Sequence, residues 1–82
     1  MVSKGLLNYG GAMNLLDAEL GKEYIIKDIT VDDEDLNSFL FSLGCYEGEP
    51  ITVISFKRGG CIVAIKDSRY NLDNQLAQSI II

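Results

Sequence analysis

The densest chemistry in the sequence is the run Asp32-Asp33-Glu34-Asp35. Carboxylates can hold a hard or borderline cation. Consecutive ones in a helical turn point in different directions, however, and the alternating ligands and central glycine of a calcium loop are missing. The competing reading is an N-cap with acidic neighbours at the positive end of a helix dipole. It is preferred because an amphipathic segment starts directly after the run. Lys57-Arg58-Gly59-Gly60 has the residue types of a phosphate-binding loop. It lacks the G-x-x-x-x-G-K spacing and a following helix, so a glycine-bearing hairpin turn explains it more economically. Cys45 and Cys61 read as two small apolar residues of a reduced protein. Recruitment of both to a soft metal is the alternative, although a structural zinc site wants four ligands at paired spacing. Asp67 and Arg69 flank a turn and are expected to form a surface ion pair.

The wider composition removes whole classes of function. The chain has 82 residues, no histidine and a net charge of −5, with seven Lys and Arg residues scattered along it. Without imidazole there is no Ser-His-Asp or Cys-His machinery. Nucleic acid and anionic lipid are excluded as partners by the missing basic stripe. At 48% hydrophobic and 23% charged, the chain is built to fold, yet its length supports only one small core. No apolar run approaches the ~20 residues of a membrane span. The N-terminal stretch is broken by Asn8, Gly10 and Gly11, so it does not read as a leader. The expectation is a cytoplasmic, non-enzymatic protein without membrane insertion.

These residues must be positioned by short elements. Residues 1–14 lack periodicity and are read as a flexible extension ahead of a domain over 15–82, with Met13 an alternative start. Glu23 to Thr30 alternates as a strand, with Ile25 and Ile29 on one face and Tyr24 and Ile26 on the other. Leu36, Phe39, Leu40 and Leu43 form one stripe of a helix over about residues 34–43. Asp32 or Asp33 caps it and Gly44 ends it. Pro50 opens a strand over Ile51–Lys57, which turns at Arg58-Gly59-Gly60 into a second over Cys61–Lys66. Arg69–Leu72 forms a short strand, Asp73 caps a helical turn over Asn74–Gln78, and Ser79–Ile82 closes the chain as a strand. Five short strands, one amphipathic helix and a helical turn near the C-terminus predict a mainly β fold. Its expected form is a small antiparallel sheet, closed or nearly closed into a barrel, with the helix plugging one end.

Taken in order, these segments resemble the ferrous iron transport protein A (FeoA) family. The resemblance is carried by Leu15/Ala18/Gly21, Tyr24/Ile26/Ile29, Leu40/Leu43/Gly44, Gly48/Ile51/Val53, Gly60, Arg69/Leu72 and Ala77/Ile80/Ile82. It covers roughly Leu15 to Ile82. Cys45, where an aliphatic residue is usual, and the N-terminal extension depart from the pattern. The resemblance implies an SH3-like β-barrel. It also implies a partner, a FeoB-type ferrous iron permease whose cytosolic part is a GTP-binding domain. Transition-metal-ion binding comes with the family, and no residue here is assigned as a ligand.

The leading expectation is therefore an accessory protein that docks on the cytosolic side of such a transporter. Phe41 lies off the apolar stripe and is expected to be exposed, with Tyr46 and the Glu47-Gly48-Glu49 turn beside it. These five residues form the candidate partner surface. The alternative is a metal-sensing module akin to the SH3-like domain of iron-dependent repressors. A third reading places Arg58 at a hairpin tip as a GTPase-activating arginine. A homodimer is left open by the exposed strand edges.

Overall fold

The computed structural model describes residues 13–82. A 3₁₀ turn over Leu15–Asp17 is followed by strands β1 (Glu23–Ile25) and β2 (Asp28–Ile29) and helix α1 (Glu34–Ser42). Then come strands β3 (Pro50–Lys57), β4 (Gly60–Ile65) and β5 (Ser68–Asp73), helix α2 (Asn74–Ser79) and strand β6 (Ile80–Ile81). The 3₁₀ turn is held by a reciprocal cap: Asn14 Oδ1 accepts from Leu16 N at 2.8 Å, and Asn14 N donates to Asp17 Oδ2 at 3.1 Å. Asn14 also bridges to Ile81, and Ile82 N donates to Met13 O at 2.9 Å. The extension predicted over 1–14 otherwise falls on residues 1–12, outside the described residues.

The expected meander is present. β3 and β4 join through the two-residue turn Arg58-Gly59, and β4 and β5 through Lys66-Asp67, giving one antiparallel sheet in the order β1-β3-β4-β5. Lys57 pairs with Gly60, so Gly60 belongs to the returning strand and not to the turn. Side chains alternate across this sheet as a pleat requires. Ile51, Val53, Cys61, Val63, Ile65 and Leu72 face the core. Thr52, Ala64 and Arg69 lie in register on the opposite face. A register shift between Val53 and Ser55 bends β3 over the core.

Two expectations are corrected. The run Glu23 to Thr30 is not one strand. Ile26 N donates to Glu49 O and Lys27 N to Ile81 O, so the segment leaves β3 after Ile25 and joins β6 as β2. Alternation carries on through the break, so Ile26 is buried on the same side as half-buried Tyr24 and Ile25 is left 54% exposed. Among the described residues there are therefore six strands in two sheets, and the four-stranded ladder ends at β1 and β5 without closing into a barrel.

Both helices are capped as their sequences require. Asp33, not Asp32, caps α1, its side chain accepting from Asp35 N at 2.8 Å and Leu36 N at 3.2 Å. Asp73 Oδ1 caps α2 through Leu76 N at 2.8 Å. Helix α1 seals the core with Leu40, backed by half-buried Leu36 and Leu43. Phe39, assigned to the same stripe, is 45% exposed and borders an open groove with Cys61 of β4 and Leu72 of β5.

Candidate functional site

The C-terminal end of α1 and the loop after it bring the candidate partner residues together. Gly44 takes φ 89°, its N–H donates to Phe41 O at 3.0 Å, and Cys45 N donates to Leu40 O at 2.9 Å. This pair of bonds satisfies the helix's last carbonyls and reverses the chain sharply. The reversal buries Cys45 as an anchor and sets Tyr46 beside the helix. There the rings of Phe41 and Tyr46 stack with centroids 4.6 Å apart and planes inclined by 29°. Phe41 is 64% exposed, the most exposed large apolar side chain among the described residues. The two rings border an open groove completed by Ile29, Asn37, Ser38 and Cys45.

The loop carrying Tyr46 is fixed from both sides. Gly48 N donates to Ile26 O at 2.8 Å, Ile26 N to Glu49 O at 2.9 Å, and Glu49 N to Tyr46 O at 3.1 Å. Glu49 is held in turn by Lys66 Nζ at 2.8 Å, the one ion pair among the described residues. The Glu49 carboxylate pushes the Lys66 ammonium above its usual pKa, through its hydrogen bond first and its charge second. Phe41, Tyr46, Glu47, Gly48 and Glu49 therefore form one contiguous, preset surface: two stacked rings with an exposed carboxylate, Glu47, at the rim. Sequence reasoning missed Ile29, Asn37 and Ser38. The last two sit four and three residues before Phe41, so helical spacing alone puts them on its face.

The other chemistry-bearing residues are placed apart from this surface. Arg58 stands exposed at the β3–β4 turn, and the expected Asp67–Arg69 ion pair does not form. Cys45 and Cys61 are buried free thiols. Burial pushes the Cys45 pKa up to about 12 and raises that of Cys61, so both are protonated at neutral pH and poor metal ligands. Asp33 is spent on its helix cap. Among the described residues, no three Cys, Asp or Glu side chains converge as a metal site. The donor set of the described residues does not fit a resident transition-metal ion. No helix among the described residues is long and apolar enough to cross a membrane.

No curated protein sequence is significantly similar. Among solved structures, an iron uptake regulatory protein (FeoA) superposes with a TM-score of 0.75 at 21% identity, covering 85% of this chain and 93% of that one. FeoA of Stenotrophomonas maltophilia, described as a prokaryotic SH3 domain protein and solved with zinc, gives 0.73 at 17% identity, over 87% and 91%. A manganese-dependent transcriptional repressor gives 0.78 at 22% identity over 88% of this chain but only 41% of its own. The fold is thus SH3-like, with the sheet left open. The FeoA domain model matches residues 13–82, and the chain belongs to the FeoA domain family.

Proposed function

We propose that this chain is a small accessory protein of ferrous iron uptake that docks on the cytosolic part of a FeoB-type permease through the Phe41–Tyr46 surface. The observation that carries the reading is the exposed, stacked Phe41–Tyr46 pair. Two aromatic rings held rigid beside a groove lose little freedom on binding, which is the usual make-up of an interface anchor. Family membership supports the pathway, and the exposed aromatic pair supports this placement of the contact. Glu47 at the rim and the net charge of −5 favour a partner site with a basic border around an apolar pocket.

Co-purification with the permease tests the docking. Phe41→Ala and Tyr46→Ala should each abolish capture while circular dichroism and the melting midpoint stay near those of the parent. Retained capture by both variants would place the contact elsewhere. The metal-sensor reading draws on likeness of fold to the manganese-dependent repressor and to the FeoA solved with zinc. Anaerobic calorimetry with ferrous or manganous ion separates the two. Saturable heat lost in Asp32/Asp33/Asp35→Asn supports a sensor, and absence of heat supports the adaptor.

A further inference from the structure

Strand β5 is an edge: β4 pairs with one side, and among the described residues no strand or backbone hydrogen bond occupies the other. Which of its backbone groups are free follows from the ladder. Asn74 N donates to Gly59 O at 2.9 Å, and in the β4–β5 register Gly60 pairs with Asp73, Cys61 with Leu72 and Ile62 with Asn71. In an antiparallel ladder, hydrogen-bonded pairs alternate with non-bonded ones. The bonded pairs therefore fall on Leu72, Tyr70 and Ser68. Arg69, Asn71 and Asp73 turn their main-chain groups to the open side, and all three are exposed. The carbonyl of Asp73 opens α2, which leaves its N–H for the edge.

We infer that β5 is a self-complementary edge at which two copies of this chain pair antiparallel about a twofold axis through Asn71. In that register Asn71 faces Asn71 of the second copy as a bonded pair. Each Asp73 N–H meets the Arg69 carbonyl across the axis. The same register sets each Arg69 side chain opposite the other copy's Asp73, on one face of the sheet. Charge pairing is thus satisfied twice by symmetry, whereas like charges there would repel. Two further observations favour this occupant. Arg69 has no carboxylate partner within its own chain among the described residues. Asp73 caps α2 through Oδ1, leaving Oδ2 for the incoming guanidinium. The product is one continuous eight-stranded sheet, with both Phe41–Tyr46 surfaces left free.

Sedimentation equilibrium of the full chain, with a loading series, tests the pairing. The parent should show a reversible dimer that weakens as salt is raised. Arg69→Glu places a carboxylate opposite Asp73 and should weaken association at least tenfold. Adding Asp73→Asn, which keeps a good cap, should restore part of it. Asn71→Pro removes an N–H that β4 does not use and should give a monomer. Should that variant fail to fold, Asn71→Cys reads the register directly. Opposed Cα atoms of a bonded pair lie about 5.5 Å apart, within disulfide reach. N71C should then oxidise to a covalent dimer while R69C does not. A parent that stays monomeric, or a dimer indifferent to both R69E and the N71C/R69C contrast, overturns the inference. So does a dimer lost on removing residues 1–12, which would assign association to that segment.

Discussion

Gly60→Ala probes the close approach of β4 to β5. An ideal Cβ at Gly60 would collide with the Leu72 carbonyl oxygen and lie 3.0 Å from Asp73 Cα and 3.1 Å from Leu72 C. All three are backbone atoms, so no side chain can swing aside. Relief must come from parting the strands where Gly60 pairs with Asp73 and Asn74 N donates to Gly59 O. Overpacking costs about 1–3 kcal/mol and a disrupted hydrogen bond about 1 more, giving about 3 kcal/mol in all. A domain of this length has roughly 4–12 kcal/mol to lose, so the variant should fold and melt about 10–20 °C lower. The neighbouring Gly59→Ala meets no atom within 4 Å but must hold φ 86°, a strain of about 1–2 kcal/mol. Gly59→Asn should recover most of that loss, and Gly60→Asn should recover none. Urea melts of the four variants decide the matter. A Gly60→Ala protein within ~0.5 kcal/mol of the parent would mean that the two strands part there without cost, against this prediction, whatever Gly59 does.

Removing either helix cap, Asp33→Ala or Asp73→Ala, should cost about 1 kcal/mol in urea melts, with the Asn replacements close to neutral. The Cys45 thiol has its pKa raised from 9.0 to about 12 by burial. Its stabilising contribution is thus full below pH 9 and is lost as pH climbs toward 12. The stability gap between parent and Cys45→Ala should shrink by about 1–3 kcal/mol between pH 9 and 11. A chain starting at Met13 keeps the bond from Ile82 N to Met13 O and should melt within a few degrees of the parent by differential scanning calorimetry.

What was legible in the sequence was local. Helix α1 shows because Asp33, the Leu36/Leu40/Leu43 stripe and Gly44 each mark it independently. The β3–β4–β5 meander shows because turn-forming residues separate alternating runs, although Gly60, read as part of the first turn, pairs with Lys57 in the ladder. The exposure of Phe41 follows from helical spacing alone. The division of Glu23–Thr30 does not show, since no Gly or Pro marks it. Adjacent Ile25 and Ile26 satisfy either strand face, and the break is set by Glu49 and Ile81, which are distant in sequence. The open ladder was hidden for the same reason: closure depends on where β1 and β2 find partners. At the site, the stacking of Tyr46 on Phe41 and the Lys66–Glu49 bond depend on a chain reversal and on hairpin register, which composition does not encode.

The split between the two sheets also fixes an order of assembly. β3, β4 and β5 meet across two-residue turns, whereas β2 and β6 join Asp28 to Ile81. Closing a loop some twenty-five times longer costs about 3 kcal/mol more in chain entropy. The meander is therefore the natural nucleus, and the β2–β6 clasp is the last contact made and the first released. Native-state amide exchange should read this directly, with Lys27 and Thr30 opening well before Val53 and Val63. Because Ile29 on that clasp lines the Phe41–Tyr46 groove, the slowest-formed part of the molecule is also a wall of the surface proposed to meet its partner.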